Sequence, residues 1–180
     1  MKKKNEYIVD ESLGVARIEL RREDDESLWA IIDIDDLDRV VSFPGVWYAK
    51  YQRLNNGYYV YANVHDDITR RNKTVLLHQF IMYANGKTVD HINHDTFDNR
   101  KNNLRIVSDS DNLKNRKGKN SNNTSGYRNV TWSKREQKWI VQLQIDKRNK
   151  TLGWFDDVHE AGKFAEEMRR KYYGEFAGRN

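Results

Sequence analysis

The sequence predicts an α+β protein built from small antiparallel sheets, and three patterns support that class. Residues Lys138 to Ile145 alternate between apolar and polar side chains, as in a strand with one buried face. From Val158 onward, apolar residues recur at the spacing of a helix. Two more strand-like segments, Thr88 to Ile92 and Asn103 to Val107, flank a loop rich in turn residues. Strands joined by short loops favour antiparallel pairing.

The N-terminal residues 1–75 are predicted to form a small antiparallel sheet that packs against the hairpin of residues 88–107. Asn56-Gly57 is typical of a tight hairpin turn. A short helix is expected over Asp35 to Val41, with Asp35 as its cap. The predicted strands are Glu6 to Leu20, Leu28 to Ile34, Trp47 to Leu54 and Tyr58 to Val64. No catalytic motif precedes His78.

An Asp-His pair, Asp90-His91, is followed at fixed distances by two asparagines, Asn103 and Asn112. This string resembles the HNH endonuclease motif in the form found in phage and intron-borne homing endonucleases. The resemblance implies cleavage of DNA by a strand-strand-helix module, the ββα-metal or His-Me finger fold. It also implies that Asn103 ties the loop between the strands and so orients His91. Many HNH proteins carry His at the position of Asn112, so cutting of one strand or of both stays open.

The residue types of this motif suit phosphodiester hydrolysis. The reaction needs a water, a base for its proton, and positive charge beside the phosphate and the leaving 3′ oxygen. His91 is the candidate base, because an unperturbed imidazole titrates near neutral pH. Asp90 and Asn112 offer oxygen ligands, which Mg²⁺ or Mn²⁺ prefers. Two protein ligands leave room for water and phosphate.

The local sequence sets the geometry expected of the motif, whose module is assigned to residues 76–117. Neighbours on a strand face opposite sides, so we expect a bulge that brings Asp90 and His91 together. The helix that carries Asn112 should begin near Ser108, with Ser108 or Asp109 as its N-cap.

A merely structural hairpin is the alternative interpretation, because Asn and Asp stabilise turns through their own side chains. The combined string of Asp-His, Asn-Leu-Arg and Asp-Asn-Leu favours the nuclease. His94 is interpreted as a solvated turn residue, and His78 as a buried histidine that is hydrogen-bonded to the hairpin. Whether either assists the site stays open.

The C-terminal residues 126–180 carry a second set of motifs. They are Ser125-Gly126-Tyr127-Arg128-Asn129-Val130, Lys138-Trp139, Leu152-Gly153-Trp154-Phe155, Glu160-Ala161 and Gly174-Glu175-Phe176-Ala177. These motifs resemble the ethylene-response-factor type of DNA-binding domain, a family best known from plant transcription factors that also occurs fused to HNH nucleases. The resemblance implies three antiparallel strands packed on one helix, with the exposed face of the sheet in the major groove. By position, the residues that would face DNA are Arg128, Thr131, Ser133, Gln142, Gln144, Asn149 and Thr151.

The patterns of the C-terminal residues agree with three strands and one helix. Strands are expected at Gly126 to Ser133, Lys138 to Ile145 and Lys150 to Phe155, and the helix is expected to be capped by Asp156 or Asp157. On the middle strand, the apolar residues from Trp139 to Ile145 share one face. The sequence favours core positions for three tryptophans: Trp132, Trp139 and Trp154.

Charge is divided along the chain. Residues 1–77 contain 12 Lys and Arg against 14 Asp and Glu, whereas residues 78–180 contain 20 against 13. The basic half is therefore the half with both DNA motifs. A basic run suited to phosphates consists of Lys114, Arg116, Lys117 and Lys119. It leads into residues 118–125, which have the composition of a flexible linker.

Composition narrows the function classes. The chain has 180 residues and no cysteine, which excludes disulfides and cysteine-bound zinc. No signal peptide or membrane span is recognised, so we expect a cytoplasmic protein of a bacterial or phage-infected host. Double-stranded DNA is the expected partner, with no membrane and no small-molecule cofactor. The alternatives to a homing-type nuclease are a DNA-binding regulator whose nuclease motif has lapsed and a nuclease for branched or single-stranded DNA.

Overall fold

The computed structural model describes residues 4–20, 28–53, 57–67, 70–115, 118–120 and 122–179. Contacts divide the chain between Val107 and Ser108 into two compact units. This division falls inside residues 76–117, which the sequence assigns to one module, so the modular boundaries stay a prediction. None of the helices in these ranges is both long and apolar enough to cross a bilayer.

The first unit contains small antiparallel sheets, which confirms the expected mixed α and β character with few, short helices. One sheet has the order β1-β2-β3, a second has the order β4-β5-β6, and β7 pairs with β8. The strands are β1 Tyr7–Asp10, β2 Val15–Leu20, β3 Leu28–Asp33, β4 Trp47–Gln52, β5 Gly57–Asp66, β6 Arg71–Leu76, β7 Thr88–His91 and β8 Leu104–Val107; the helices are α1 Leu37–Val41 and α2 Leu77–Ile81. The predicted turn residue Asn56 lies outside the described residues.

The cap predicted for the first helix is wrong. Asp35 is exposed within a 3-10 turn, Ile34–Asp36, and α1 follows this turn directly. Asp36 precedes α1 but makes no capping hydrogen bond. Its carboxylate is buried and instead pairs with Arg39 at 2.7 Å and Lys101 at 2.8 Å. These ion pairs take the place of a cap at this position.

One hydrophobic core joins the N-terminal sheets to the β7-β8 hairpin. It includes Ile18 and Ile32 of the first sheet and Trp47 of the second, and Val89 and Leu104 supply the hairpin's share. Burial of these side chains is the main force that can hold the hairpin on the sheets. The packing expected between the N-terminal region and the hairpin is therefore present.

Strand β3 also holds the loop that connects β7 to β8. The Ile31 amide donates to the Phe97 carbonyl at 2.8 Å, and the Asn99 amide donates to the Ile31 carbonyl at 2.7 Å. The Lys101 amide donates to the Asp33 carboxylate at 2.8 Å. The loop is thus fixed by backbone hydrogen bonds to a strand that lies far from it in sequence.

The second unit contains a three-stranded antiparallel sheet with one long helix packed on it. Its elements are α3 Asp109–Lys114, β9 Val130–Ser133, β10 Lys138–Ile145, β11 Arg148–Phe155 and α4 Val158–Tyr173, and the strand order is β11-β10-β9. Val141 and Leu143 of β10 are buried against Ala161 and Ala165 of α4. The face of β10 that the sequence assigns to the core is the face that is buried.

Two helix caps in the second unit confirm predictions from the sequence. The Ser108 hydroxyl accepts a hydrogen bond from the Asp111 amide at 3.1 Å at the start of α3. The Asp157 carboxylate accepts from the first two amides of α4 at 2.8 Å each. The predicted strand at 126–133 is shorter than expected, because Gly126 and Asn129 have φ angles of 84° and 66°, outside the β region.

We expect Gly162→Ala to destabilise the second unit. A Cβ at Gly162 would lie 2.4 Å from the ring of Tyr127, so the ring would have to move. Overpacking of this kind costs about 1–3 kcal/mol, and the better helix propensity of alanine offsets about 1 kcal/mol. The measurement is the free energy of unfolding from urea denaturation, with circular dichroism as the signal. Gly118→Ala is the control, because nothing lies within 4 Å of its added Cβ; a Gly162→Ala variant as stable as wild type would contradict this packing.

Candidate functional site

Asp90 and His91 lie at the end of β7 in a regular ladder. Asp90 is opposite Arg105 and His91 is opposite Leu104, with no register shift over Thr88 to His91. The bulge expected here is therefore wrong. Asp90 is 8% exposed, and its Oδ2 atom lies 3.0 Å from Nε and 2.9 Å from Nη2 of Arg105. This cross-strand ion pair holds the Asp90 carboxylate, and the regular ladder leaves the side chains of Asp90 and His91 on opposite faces of the hairpin.

The imidazole of His91 is buried against two other rings of the first unit. His78 of α2 lies edge to face with it at 4.9 Å between ring centroids, and Tyr59 of β5 lies at 6.3 Å. His78 is buried, as predicted, and contacts the hairpin through this ring pair. A histidine 13 positions earlier in the sequence is thus a direct neighbour of the candidate base. No local pattern could have shown this contact.

Asn99 orients the imidazole of His91. Its side-chain Nδ2 donates to the carbonyls of Thr96 at 3.3 Å and Phe97 at 3.1 Å, which turns Oδ1 toward Nε2 of His91 at 3.4 Å. An oxygen there can only accept, so Nε2 carries the proton and Nδ1 carries the lone pair. Asn99 is fully buried, and the sequence reasoning missed it. In the sequence, Asn99 is one of several asparagines in the loop, and nothing in its neighbours distinguishes it.

Asn103 ties the two ends of the same loop. Its Oδ1 accepts from the Asn93 amide at 2.9 Å, and its Nδ2 donates to the Asp98 carbonyl at 2.7 Å. This is the geometry that the resemblance implies for Asn103; its effect on catalysis stays a prediction. His94 forms part of the turn, with a φ of 64° and its amide bonded to the His91 carbonyl at 3.1 Å.

Burial favours the neutral imidazole at this site. The pKa of His91 is lowered, chiefly because burial penalises the charged ring, although the Asn99 hydrogen bond and three nearby aspartates oppose the shift. Burial, with a smaller contribution from His91, lowers the pKa of His78 to about 3. Both rings are therefore neutral near pH 7, the state in which a histidine can accept a proton.

Asn112 lies on α3 in the second unit, where it is exposed. Of the predicted basic run, Lys119 is exposed and Lys114 is half-buried, with its Nζ 2.8 Å from Asp111 and 5.7 Å from the ring centre of Tyr173. The other two members, Arg116 and Lys117, lie outside the described residues. The ββα-metal arrangement as a packed module stays a prediction.

The exposed face of the β9-β10-β11 sheet carries most of the residues predicted to face DNA. Gln142 is opposite Thr151 and Gln144 is opposite Asn149, so these four share one face, and Thr131 joins it through its pairing with Ile140. A groove of about 630 Å³ runs along this face and includes Leu113 and Lys114 at the end of α3. Ser133 is half-buried, and its hydroxyl accepts from the Glu136 amide at 3.2 Å.

Three aromatic or basic residues of the second unit differ from expectation. Arg128 lines the same groove but is only 7% exposed, and its guanidinium donates to three backbone carbonyls. Trp154 is 55% exposed and Trp132 is 38% exposed, so neither is a core residue. Trp139 does pack against the core and meets Trp132 edge to face. The register explains Trp154, because its partner Ile140 lies on the polar face of β10.

The donor chemistry of the motif fits a hard divalent cation. Among the described residues, no three His, Asp or Glu side chains form a metal-binding group. Mg²⁺ commonly binds through one or two protein oxygens together with water and substrate phosphate, so one carboxylate and one amide oxygen are enough. Asp90 offers the carboxylate, and Arg105 pairs with its Oδ2 atom at 2.9 Å.

Lowering the pH below about 6.5 is expected to destabilise the first unit. The unfolded chain binds a proton on His78 that the folded chain excludes down to about pH 3, so stability falls with pH in that window. For His78 the loss between pH 7 and pH 5 is about 2 kcal/mol. Urea denaturation of His78→Phe, which keeps the ring contact, should show a shallower pH dependence than wild type. Exposed His65 gives the control His65→Phe; equal slopes for wild type and His78→Phe would contradict the burial.

Comparison with known families gives one match. A model of the HNH endonuclease family matches residues 82–114, which include Asp90, His91, Asn103 and Asn112. No curated protein and no solved structure matches the chain. The family match indicates nuclease activity on DNA. It ends before β9, so the resemblance of the C-terminal residues to the ethylene-response-factor domain remains a proposal.

Proposed function

We propose that this chain is a divalent-metal-dependent DNA endonuclease of the homing type, with His91 as its general base. The observation that carries the proposal is the buried, neutral imidazole that Asn99 holds at the end of β7, one residue after Asp90. These residues lie in the segment that the HNH endonuclease model matches. A fixed imidazole with one free lone pair is the group that water activation requires.

The proposed reaction uses Nδ1 of His91, the ring nitrogen that Asn99 does not contact. Nδ1 of His91 accepts a proton from a water molecule whose oxygen attacks the phosphorus of the DNA backbone. The bond from phosphorus to the 3′ oxygen breaks, and that oxygen takes a proton from solvent. Asn99 accepts a hydrogen bond from Nε2, so the lone pair of the base is on Nδ1. Asn103 ties the loop that carries Asn99.

Asp90 and Asn112 would hold Mg²⁺ or Mn²⁺. The cation supplies positive charge beside the phosphate and the leaving oxygen. Asp90 is held by Arg105 in one orientation, which limits the rotamers available to the carboxylate. Asn112 is exposed on α3 and is assigned by the motif alone.

The C-terminal sheet would bind the DNA target, in the manner of the ethylene-response-factor family. Support comes from its polar face, on which Gln142 and Gln144 present amides to the groove, and from the net positive charge of residues 78–180. Such amides can form bidentate contacts with adenine in the major groove. Exposed Lys119 and the half-buried Lys114 lie before the sheet in the chain and are suited to phosphates.

Replacing the candidate base should abolish most cleavage. We expect His91→Ala to cut supercoiled and linear DNA about 10²–10⁴-fold more slowly than wild type in Mg²⁺ or Mn²⁺, the usual contribution of a general base. His65→Ala is the matched control, because His65 is exposed on β5.

Equal cutting by wild type and His91→Ala would refute the assignment of the base. A wild type that binds duplex DNA with steep salt dependence but cuts none would favour the lapsed regulator. If wild type cuts branched or single-stranded DNA faster than duplex DNA in the same assay, the target is not the duplex.

Removing amides from the sheet face should weaken DNA binding without slowing the chemical step. Each bidentate base contact is worth about 1–3 kcal/mol, so Gln142→Ala and Gln144→Ala should each raise the Kd about fivefold or more at fixed salt. The single-turnover rate at saturating DNA should stay the same. Gln137→Ala, in the turn between β9 and β10, is the control; affinities like that of wild type for both face variants would exclude this surface.

A further inference from the structure

Arg128 is a buried arginine whose two terminal nitrogens donate to backbone carbonyls of its own unit. Nη1 donates to the carbonyls of Ala177 at 3.3 Å and Arg179 at 2.6 Å, and Nη2 donates to the carbonyl of Lys114 at 3.0 Å. Its own carbonyl accepts from Nη1 of Arg169, also buried, at 3.2 Å. A guanidinium used in this way connects three separate stretches of chain.

One of those stretches is the end of α3. This helix has six residues, too few to be stable alone, so contacts outside the helix must hold it. The last carbonyls of a helix have no partner within it, and a cation near them is favourable. Arg128 supplies both a donor and a charge to the carbonyl of Lys114, the last residue of α3.

A second contact holds the same end of α3. The Lys114 ammonium lies 5.7 Å from the ring centre of Tyr173. The Tyr173 hydroxyl is itself fixed, because it accepts from the Gln144 amide at 3.1 Å and donates to the Gln144 carbonyl at 3.0 Å. The helix that carries Asn112 is thus anchored to the end of α4 and to the middle of the C-terminal sheet.

We propose that Arg128 is a positioning residue for DNA cleavage, which fixes α3 and with it the orientation of Asn112. The inference rests on the function proposed above, in which Asn112 is a metal ligand. It gives the C-terminal unit a second task besides DNA binding. It also replaces the expected contact of Arg128 with DNA, since a 7% exposed side chain bonded to three carbonyls is not available to a phosphate or a base.

The experiment compares Arg128→Met, which removes the donors, with Arg128→Lys, which keeps the charge. Arg170→Met is the matched control, because Arg170 is exposed on α4 and pairs only with Glu166 among the contacts described. Three quantities are measured on the full chain: the single-turnover cleavage rate at saturating DNA as a function of Mg²⁺, the DNA affinity in Ca²⁺, and the hydrogen exchange of the amides of residues 109–115.

We expect Arg128→Met to cut at least tenfold more slowly, to need more Mg²⁺ for its half-maximal rate, and to exchange the α3 amides faster. Its DNA affinity should fall by less than its cleavage rate at saturating DNA. Arg128→Lys should show the same changes to a smaller degree, and Arg170→Met should show none. If the amides throughout α4 and β10 also exchange faster in Arg128→Met, the substitution has unfolded the unit. The cleavage rate and the α3 exchange of Arg128→Lys then test the inference.

Two results would overturn the inference. Unchanged α3 exchange in both Arg128 variants would show that Arg128 does not hold the helix. A weaker DNA affinity with an unchanged cleavage rate at saturating DNA would show that Arg128 is a DNA contact. A wild type that cuts no DNA is a different failure: it contradicts the proposed function and removes the catalytic role of Arg128, while hydrogen exchange still reports whether α3 is anchored.

Discussion

The hydrogen bond from His91 to Asn99 is the interaction on which the candidate site depends. It sets the tautomer of the imidazole, and therefore which nitrogen can accept a proton. Asn99 can do this only because its amide group is fixed by the carbonyls of Thr96 and Phe97 and its backbone amide by Ile31 of β3. The orientation of the candidate base is thus linked to the N-terminal sheet. The N-terminal sheet contains no catalytic motif, yet it helps to orient the candidate base through Ile31.

The motif is divided between two units of the chain, and each unit fixes its own part. The first unit buries Asp90 and His91 in a hairpin whose core is shared with the N-terminal sheets. The second unit anchors α3 through Arg128 and Tyr173. A short helix needs such support, because its own hydrogen bonds cannot stabilise it. The second unit therefore stabilises α3, the helix that carries the last position of the motif.

The sequence predicts those features that depend on neighbouring residues. Strand β10 and the caps Ser108 and Asp157 follow from local alternation and from short-range hydrogen bonds, and the structure confirms all three. The burial of Arg128 does not follow from local sequence, because its partners Lys114, Ala177 and Arg179 lie 14, 49 and 51 positions away. The ring contact of His78 with His91 and the ion pair of Asp90 with Arg105 are also tertiary. No spacing rule identifies such partners.

The central claim is that the neutral imidazole of His91 takes the proton from water. The most direct measurement is the single-turnover cleavage rate of His91→Gly in increasing concentrations of imidazole at pH 7.5. We expect imidazole to restore part of the lost rate with saturation, and we expect no rescue in wild type or in His91→Gly with Asp90→Ala. A His91→Gly variant that binds DNA normally and stays inactive at every imidazole concentration would contradict it.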